Sequence, residues 1–221
     1  MKQLQRAVLL VAATVLMAGS ASAQDATERA VELKTWREQC NDPDTDLRTA
    51  YLEAAIESAD VAIIRICVRQ SLMSDDADIR NLGLRAALAS IDQLLFEVTM
   101  PEEVEAAYKK AGKDEKQLRE ISDWFMIRDW NSLRAGFSVA VTGAEVSTGT
   151  STWYPLANRA EPSESNKGRA AVIGDKVNWT GDMALSNGDC SMNLKLSETG
   201  TLDGVLRCSR NVPFPVSASL M

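Results

Sequence analysis

The clearest periodic signal in the chain is an alternation of apolar and polar residues from Asp189 to Ser209, interrupted at Glu198-Thr199-Gly200. A three-residue stretch ending in Gly suits a hairpin loop in which a type I turn is followed by a residue with φ > 0. Centring the hairpin on Thr199 sets Met192, Leu194 and Leu196 opposite Leu206, Gly204 and Leu202 on one face. Ser191, Asn193 and Ser197 then stand opposite Arg207, Val205 and Thr201 on the other. One apolar face backed by a largely polar one is the pattern of an antiparallel pair buried on one side. The same register places Lys195 opposite Asp203, as a cross-strand ion pair, and Cys190 opposite Cys208. Directly opposed residues have Cα atoms about 4.5–5.5 Å apart, within reach of a disulfide. Pairing Cys190 with Cys208 leaves Cys40 with Cys67, the one connectivity of three that keeps each bond within one half of the chain.

Further strands are predicted at Phe137 to Val141, Arg169 to Ile173, Lys176 to Thr180 and Val216 to Leu220, each bounded by Gly, Pro or turn-forming pairs. Six to eight short strands after residue 135 predict a small antiparallel β-sandwich or barrel. The earlier part reads as helical. Leu33, Trp36 and Cys40 recur at helical spacing before Asn41-Asp42-Pro43 stops the pattern, and Asp114 with Gln117 opens a helix carrying Leu118, Ile121 and Phe125. Residues 24–134 contain two glycines and two prolines, and residues 135–221 nine and four. The expected fold class is therefore α+β in two domains: an all-α helical-repeat or bundle domain over 24–134 and a β domain over 135–221.

The helical half contains a self-similarity. Asp46-Leu47-Arg48 with Leu52, Ala54, Ala55, Ser58 and Asp60 returns 32 residues later as Asp78-Ile79-Arg80 with Leu84, Ala86, Ala87, Ser90 and Asp92. At the same offset Ala62-Ile63-Ile64 and Ile66 match Leu94-Leu95-Phe96 and Val98, which predicts two copies of a helix-turn-helix unit and overrides the β-propensity of Ile63 to Val68. The unit resembles the HEAT-type helical repeat over about residues 42–100. That resemblance implies stacked helices with a concave face for a protein partner, with flanking helices near 25–40 and 101–130 acting as caps.

At the N-terminus Met1 to Ala23 reads as a secretory signal peptide: Lys2 and Arg6, an apolar run from Ala7 to Met17, and Ala21-Ser22-Ala23 before cleavage. A periplasmic or secreted protein is expected, in a compartment that permits disulfides, and the apolar run is too short to span a membrane. With no histidine in 221 residues, Ser-His-Asp and Cys-His nucleophiles and His-based metal sites are excluded. A formal charge of −7 argues against nucleic acid as a partner. Three constellations remain. Asp42, Asp44, Asp46 and Glu53 follow positions 1, 3, 5 and 12 of a calcium loop, although Leu47 stands where that loop has Gly. Trp153, Tyr154 and Trp179 are candidate ligand-binding aromatics that could stack on sugars, against the default that aromatics fill a core. Glu145, Asp175 and Asp182 are candidates for carboxylate-based glycan hydrolysis. The expected function is an exported, non-enzymatic binding protein with no cofactor, engaging a protein or cell-envelope polymer. The alternatives are a carboxylate-dependent glycan hydrolase and a small-molecule or inhibitor-type β-barrel.

Overall fold

A computed structural model describes residues 18–156, 161–183, 189–208 and 212–220, with side chains from residue 25 onward. Residues 1–17 of the expected leader lie outside the described residues, and the expected cleavage point after Ala23 falls within the first described helix. The chain order is α1 (Ala18–Gln39), α2 (Thr45–Glu57), α3 (Val61–Leu72), α4 (Ala77–Ala89), β1 (Gln93–Val98), α5 (Glu102–Ala111), α6 (Glu115–Ser122), α7 (Phe125–Leu133) and β2 (Phe137–Glu145). Then follow β3 (Thr150–Pro155), β4 (Gly168–Ile173), β5 (Lys176–Asp182), β6 (Asp189–Leu196), β7 (Thr201–Cys208) and β8 (Phe214–Ser219). All eight strands form one closed antiparallel barrel in sequence order, so the β part is a barrel and not a sandwich.

Aspartates open four of the helices. Asp44 accepts hydrogen bonds from the backbone N–H groups of Asp46 and Leu47, and Asp76, 32 residues on, accepts from Asp78 and Ile79. Asp60 and Asp114 do the same for α3 and α6. Each carboxylate satisfies N–H groups that have no partner inside the helix and lies at the positive end of its dipole. Leu33, Trp36 and Cys40 face inward from α1, as their spacing predicts. The Cys40–Cys67 disulfide joins the residue after α1 to the middle of α3, with Cα atoms 5.1 Å apart. Where α3 meets α4, a Cβ on Gly83 would come within 2.6 Å of the Ser71 Cβ, so the two helices approach at a point only Gly fits.

The repeat holds for its first helix and fails for its second element. Both α2 and α4 have 13 residues and aspartate caps at the constant offset. After Asp60 the chain forms α3, but after Asp92 it forms β1, pairing with β2 on one side and β8 on the other. The Asp92 carbonyl accepts from the Val141 N–H at 2.9 Å, and Leu94 and Phe96 turn into the barrel while Gln93, Leu95 and Glu97 face out. The expected second helical hairpin is therefore corrected to a helix followed by a strand. The barrel also draws a strand from before residue 135, so the change in composition there does not mark where the sheet begins.

The hairpin register is the one predicted, from Cys190 opposite Cys208 to Leu196 opposite Leu202, with Gly200 at φ 79°. The Cys190–Cys208 disulfide is present, its Cα atoms 4.1 Å apart. The expected ion pair is not. Lys195 Nζ reaches Asp175 Oδ2 at 3.5 Å, because Asp203 already accepts from Ser217 Oγ at 2.6 Å and from Thr201 Oγ1 at 2.9 Å.

Side chains fill the barrel. Phe96, Trp153, Trp179, Met192, Leu202 and Leu206 are fully buried, and Phe96 stacks on Phe137 with ring centroids 5.0 Å apart. Room for Trp179 comes from a facing glycine pair, Gly168 opposite Gly181. A Cβ on either would lie 2.6 or 2.7 Å from the indole ring and 2.6 Å or less from the neighbouring strand's backbone. Neither the ring nor the backbone can retreat in a closed barrel. Gly181→Ala is expected to lower stability by about 1–3 kcal/mol through overpacking. Thr180→Ala, next along β5 on the outer face, should stay within about 0.5 kcal/mol. Urea unfolding of the two variants checks this.

Candidate functional site

Three surface features are built where the helices meet the barrel or each other. The first is a cleft of about 320 Å³ at the barrel end formed by the β4–β5 and β6–β7 turns. Asp175, Lys195, Ser197 and Glu198 border it on the barrel side, and Met73, Asp75 and Arg80 on the helical side. Its helical wall is held by arginines from the two related helices. Arg80 Nη1 donates to the Ser74 carbonyl at 2.6 Å, and Arg48 Nη1 donates to the Ser74 hydroxyl at 3.1 Å. Nearby, Arg85 Nη1 donates to the Ser147 carbonyl at 3.1 Å beneath the β2–β3 turn, and Asn81 donates to the Gly174 carbonyl at 3.0 Å. Helix α4 thus fastens the β2–β3 and β4–β5 turns, and the cleft, bordered by the second of these and by the β6–β7 turn, presents both signs of charge.

The second feature is a groove of about 360 Å³ between α3 and the seam where β1 and β8 meet. Val61, Ile64, Val68, Ile91 and Leu220 line it, with Arg65 and Arg69 along one side. At its head Asp60 caps α3 and accepts from Arg29 Nη2 of α1 at 2.6 and 2.8 Å. Arg29 also donates to Glu32 at 2.6 Å, so α1 is held against the start of α3 by charge as well as by the disulfide.

The third is the corner between α6 and α7, where Trp124 and Phe125 are 47% and 49% exposed side by side. Trp124 also borders an open hollow of about 530 Å³ between α5 and α6, floored by Ala107, Ala111 and Ile121. The Arg128 guanidinium sits 6.0 Å from the centre of the Phe125 ring.

No family model matches the chain, and no match was found among curated proteins or solved structures.

The residues singled out in the sequence are dispersed among other roles. Trp153 and Trp179 lie wholly inside the barrel, and only Tyr154 points outward, donating to Glu164 Oε1 at 3.2 Å, so the three do not share a sugar-stacking face. Trp153 Nε1 donates to Ser151 Oγ at 2.9 Å. Of the calcium-loop positions, Asp42 accepts from the Asp44 N–H and Asp44 caps α2, while Glu53 is exposed two turns further along. Among the described residues no three His, Cys, Asp or Glu side chains stand together as metal ligands. The acids separate too: Asp175 borders the mixed-charge cleft, Glu145 accepts from Thr148 at the β2–β3 turn, and Asp182 ends β5 at the opposite end of the barrel. Sequence reasoning missed the exposed Trp124–Phe125 pair and the Arg65–Arg69 groove. The second had a signal, since arginines four apart beside Val61, Ile64 and Val68 mark one face of a helix and not of a strand.

The Asp60 carboxyl is held below the usual carboxylate range, first by the Ile63 N–H, then by Arg29 and the Ala62 N–H. A depressed carboxylate stabilises the fold above its ordinary pKa, and that contribution disappears as the pH falls through the lowered value. Acidification should therefore loosen α1 against α3, seen as an increase in amide exchange at the start of α3 relative to the intrinsic rate at each pH. In Asp60→Asn this acid-dependent increase should be absent.

Proposed function

We propose that this chain is an exported, non-enzymatic binding protein that engages a protein partner in the cell envelope. The exposed Trp124–Phe125 pair carries the reading. Large aromatics side by side in solvent, next to an open apolar-floored hollow, have the make-up of an interface hot spot, where a few such side chains supply most of the affinity. Helices around that corner are short and held by capping and local packing: Asp114 caps α6, the Trp124 N–H donates to the Ile121 carbonyl at 3.0 Å, and Ile127, Trp130 and Leu133 anchor α7. The two aromatics can therefore be presented without leaving the core.

Export fits the two disulfides, which persist in oxidising compartments, and no helix of the described residues is long and apolar enough to cross a membrane. The leader at Met1 to Ala23 supports the same destination, with cleavage after Ala23. A periplasmic or secreted location follows as part of the proposal.

Capture from an envelope extract of the producing cell tests it. The wild-type chain should retain a discrete protein partner, and Trp124→Ala/Phe125→Ala should weaken that retention at least about tenfold with an unchanged melting temperature. Equal retention by both, or none by either, would overturn the reading.

A further inference from the structure

The groove along α3 differs from the rest of this acidic surface. Residues 24–134 carry 23 acidic and 15 basic side chains, yet the charged residues lining this groove are both arginines. Arg65 and Arg69 are exposed and, among the described residues, neither donates to an acid or to any other acceptor. Arg29, Arg48, Arg80 and Arg85 are engaged within the fold, whereas Arg37 of α1 is, like the groove pair, exposed and without a partner among the described residues, but does not line this groove. Val61, Ile64 and Val68 form an apolar strip beside the two guanidiniums, and Val61 is 66% exposed although it begins a helix whose inner face is fully buried.

We infer that this groove docks an amphipathic peptide segment of a protein partner, one that lays apolar side chains on Val61, Ile64, Val68 and Leu220 and brings two carboxylates to Arg65 and Arg69. Two cations one helical turn apart are matched by two anionic groups at the same spacing, which acids three or four apart on a helix provide. A single-headed amphiphile, such as a fatty acid, would satisfy one of them. Guanidinium groups suit carboxylates through paired donors, and an apolar floor that excludes water strengthens the attraction over that of an open surface. A second copy of this chain is a poor occupant, since its net charge of −7 would oppose association except through this one patch. The inference rests on the binding-protein reading but concerns a different face from the Trp124–Phe125 corner.

The test is selection of a phage-displayed library of random 12-residue peptides on the full, disulfide-bonded chain, followed by affinity measurement of the winners. Enriched peptides should carry two acids three or four apart beside Leu, Ile or Phe, and should bind more weakly as salt is raised. Arg65→Glu/Arg69→Glu should weaken binding at least about tenfold at an unchanged melting temperature, and Arg65→Gln/Arg69→Gln, milder at these exposed positions, should also weaken it. Three results would overturn the inference: winners without acidic enrichment, binding indifferent to both double variants, or arginine-dependent binding of dodecanoate with no arginine-dependent peptide. Any of these with Trp124-dependent capture intact would remove the groove's role and leave the binding-protein reading standing.

Discussion

Strand β1 is the constraint on which the architecture depends. It lies between β2 and β8 and so closes the sheet, and it is the single strand that precedes the helices α5 to α7. Without it the barrel would present two unpaired edges, each a row of free backbone donors and acceptors. With it, the connection on one side arrives from α4 and the connection on the other leaves into α5. The helices are thus tied to the sheet at both ends of one strand, and the groove lined by Ser90 and Ile91 lies at the first of those ties.

At the junction, polar contacts are added to an apolar core that the helices and the barrel share. Arg85 reaches under the β2–β3 turn and Asn81 holds Gly174, while Arg80 and Arg48 converge on Ser74 within the helical layer and brace α4. Charged donors on carbonyls are individually stronger than neutral hydrogen bonds and directional, so they set the orientation of α4 on the barrel. Ser74 is buried and satisfied from both related helices, which is the structural use to which the 32-residue self-similarity is put.

Much of this was legible in the residues, unevenly. The β6–β7 hairpin could be read to the residue because a glycine at a loop position, an alternating face and two opposed cysteines all specify the same register. Of the four Asp N-caps, Asp114 was read as one from its spacing to Gln117, whereas Asp44 was read as a calcium ligand. The helix over Ile63 to Val68 was legible through the repeat, but the strand in its related segment was not. Ile63 to Val68 is rich in β-branched residues and forms a helix, whereas Leu94 to Phe96 is leucine-rich and forms a strand, the reverse of intrinsic propensity. Tertiary context decided both: Ile63, Cys67 and Ser71 make a helical face closed by the Cys40 bond, while Leu94 and Phe96 fill one side of a strand with partners on both edges. Period-2 alternation was present in Gln93 to Val98 but too short to outweigh the repeat. Exposure of Trp124 and Phe125 was not readable at all, because the same aromatics would suit a core.

The seam between β1 and β8 also sets an order of assembly. Phe96 pairs with Ala218, far along the sequence, so the ring cannot shut until the whole stretch from β1 through β8 is available. Neighbouring hairpins such as β6–β7 close over short loops and can form early, as can the α1–α4 layer. Long-range closure is slow because the entropy of a large loop is lost before the contacts that compensate it. Until then Leu94 and Phe96 would sit on an unprotected edge beside finished helices, which makes the interval before closure the period in which this protein is most exposed to aggregation.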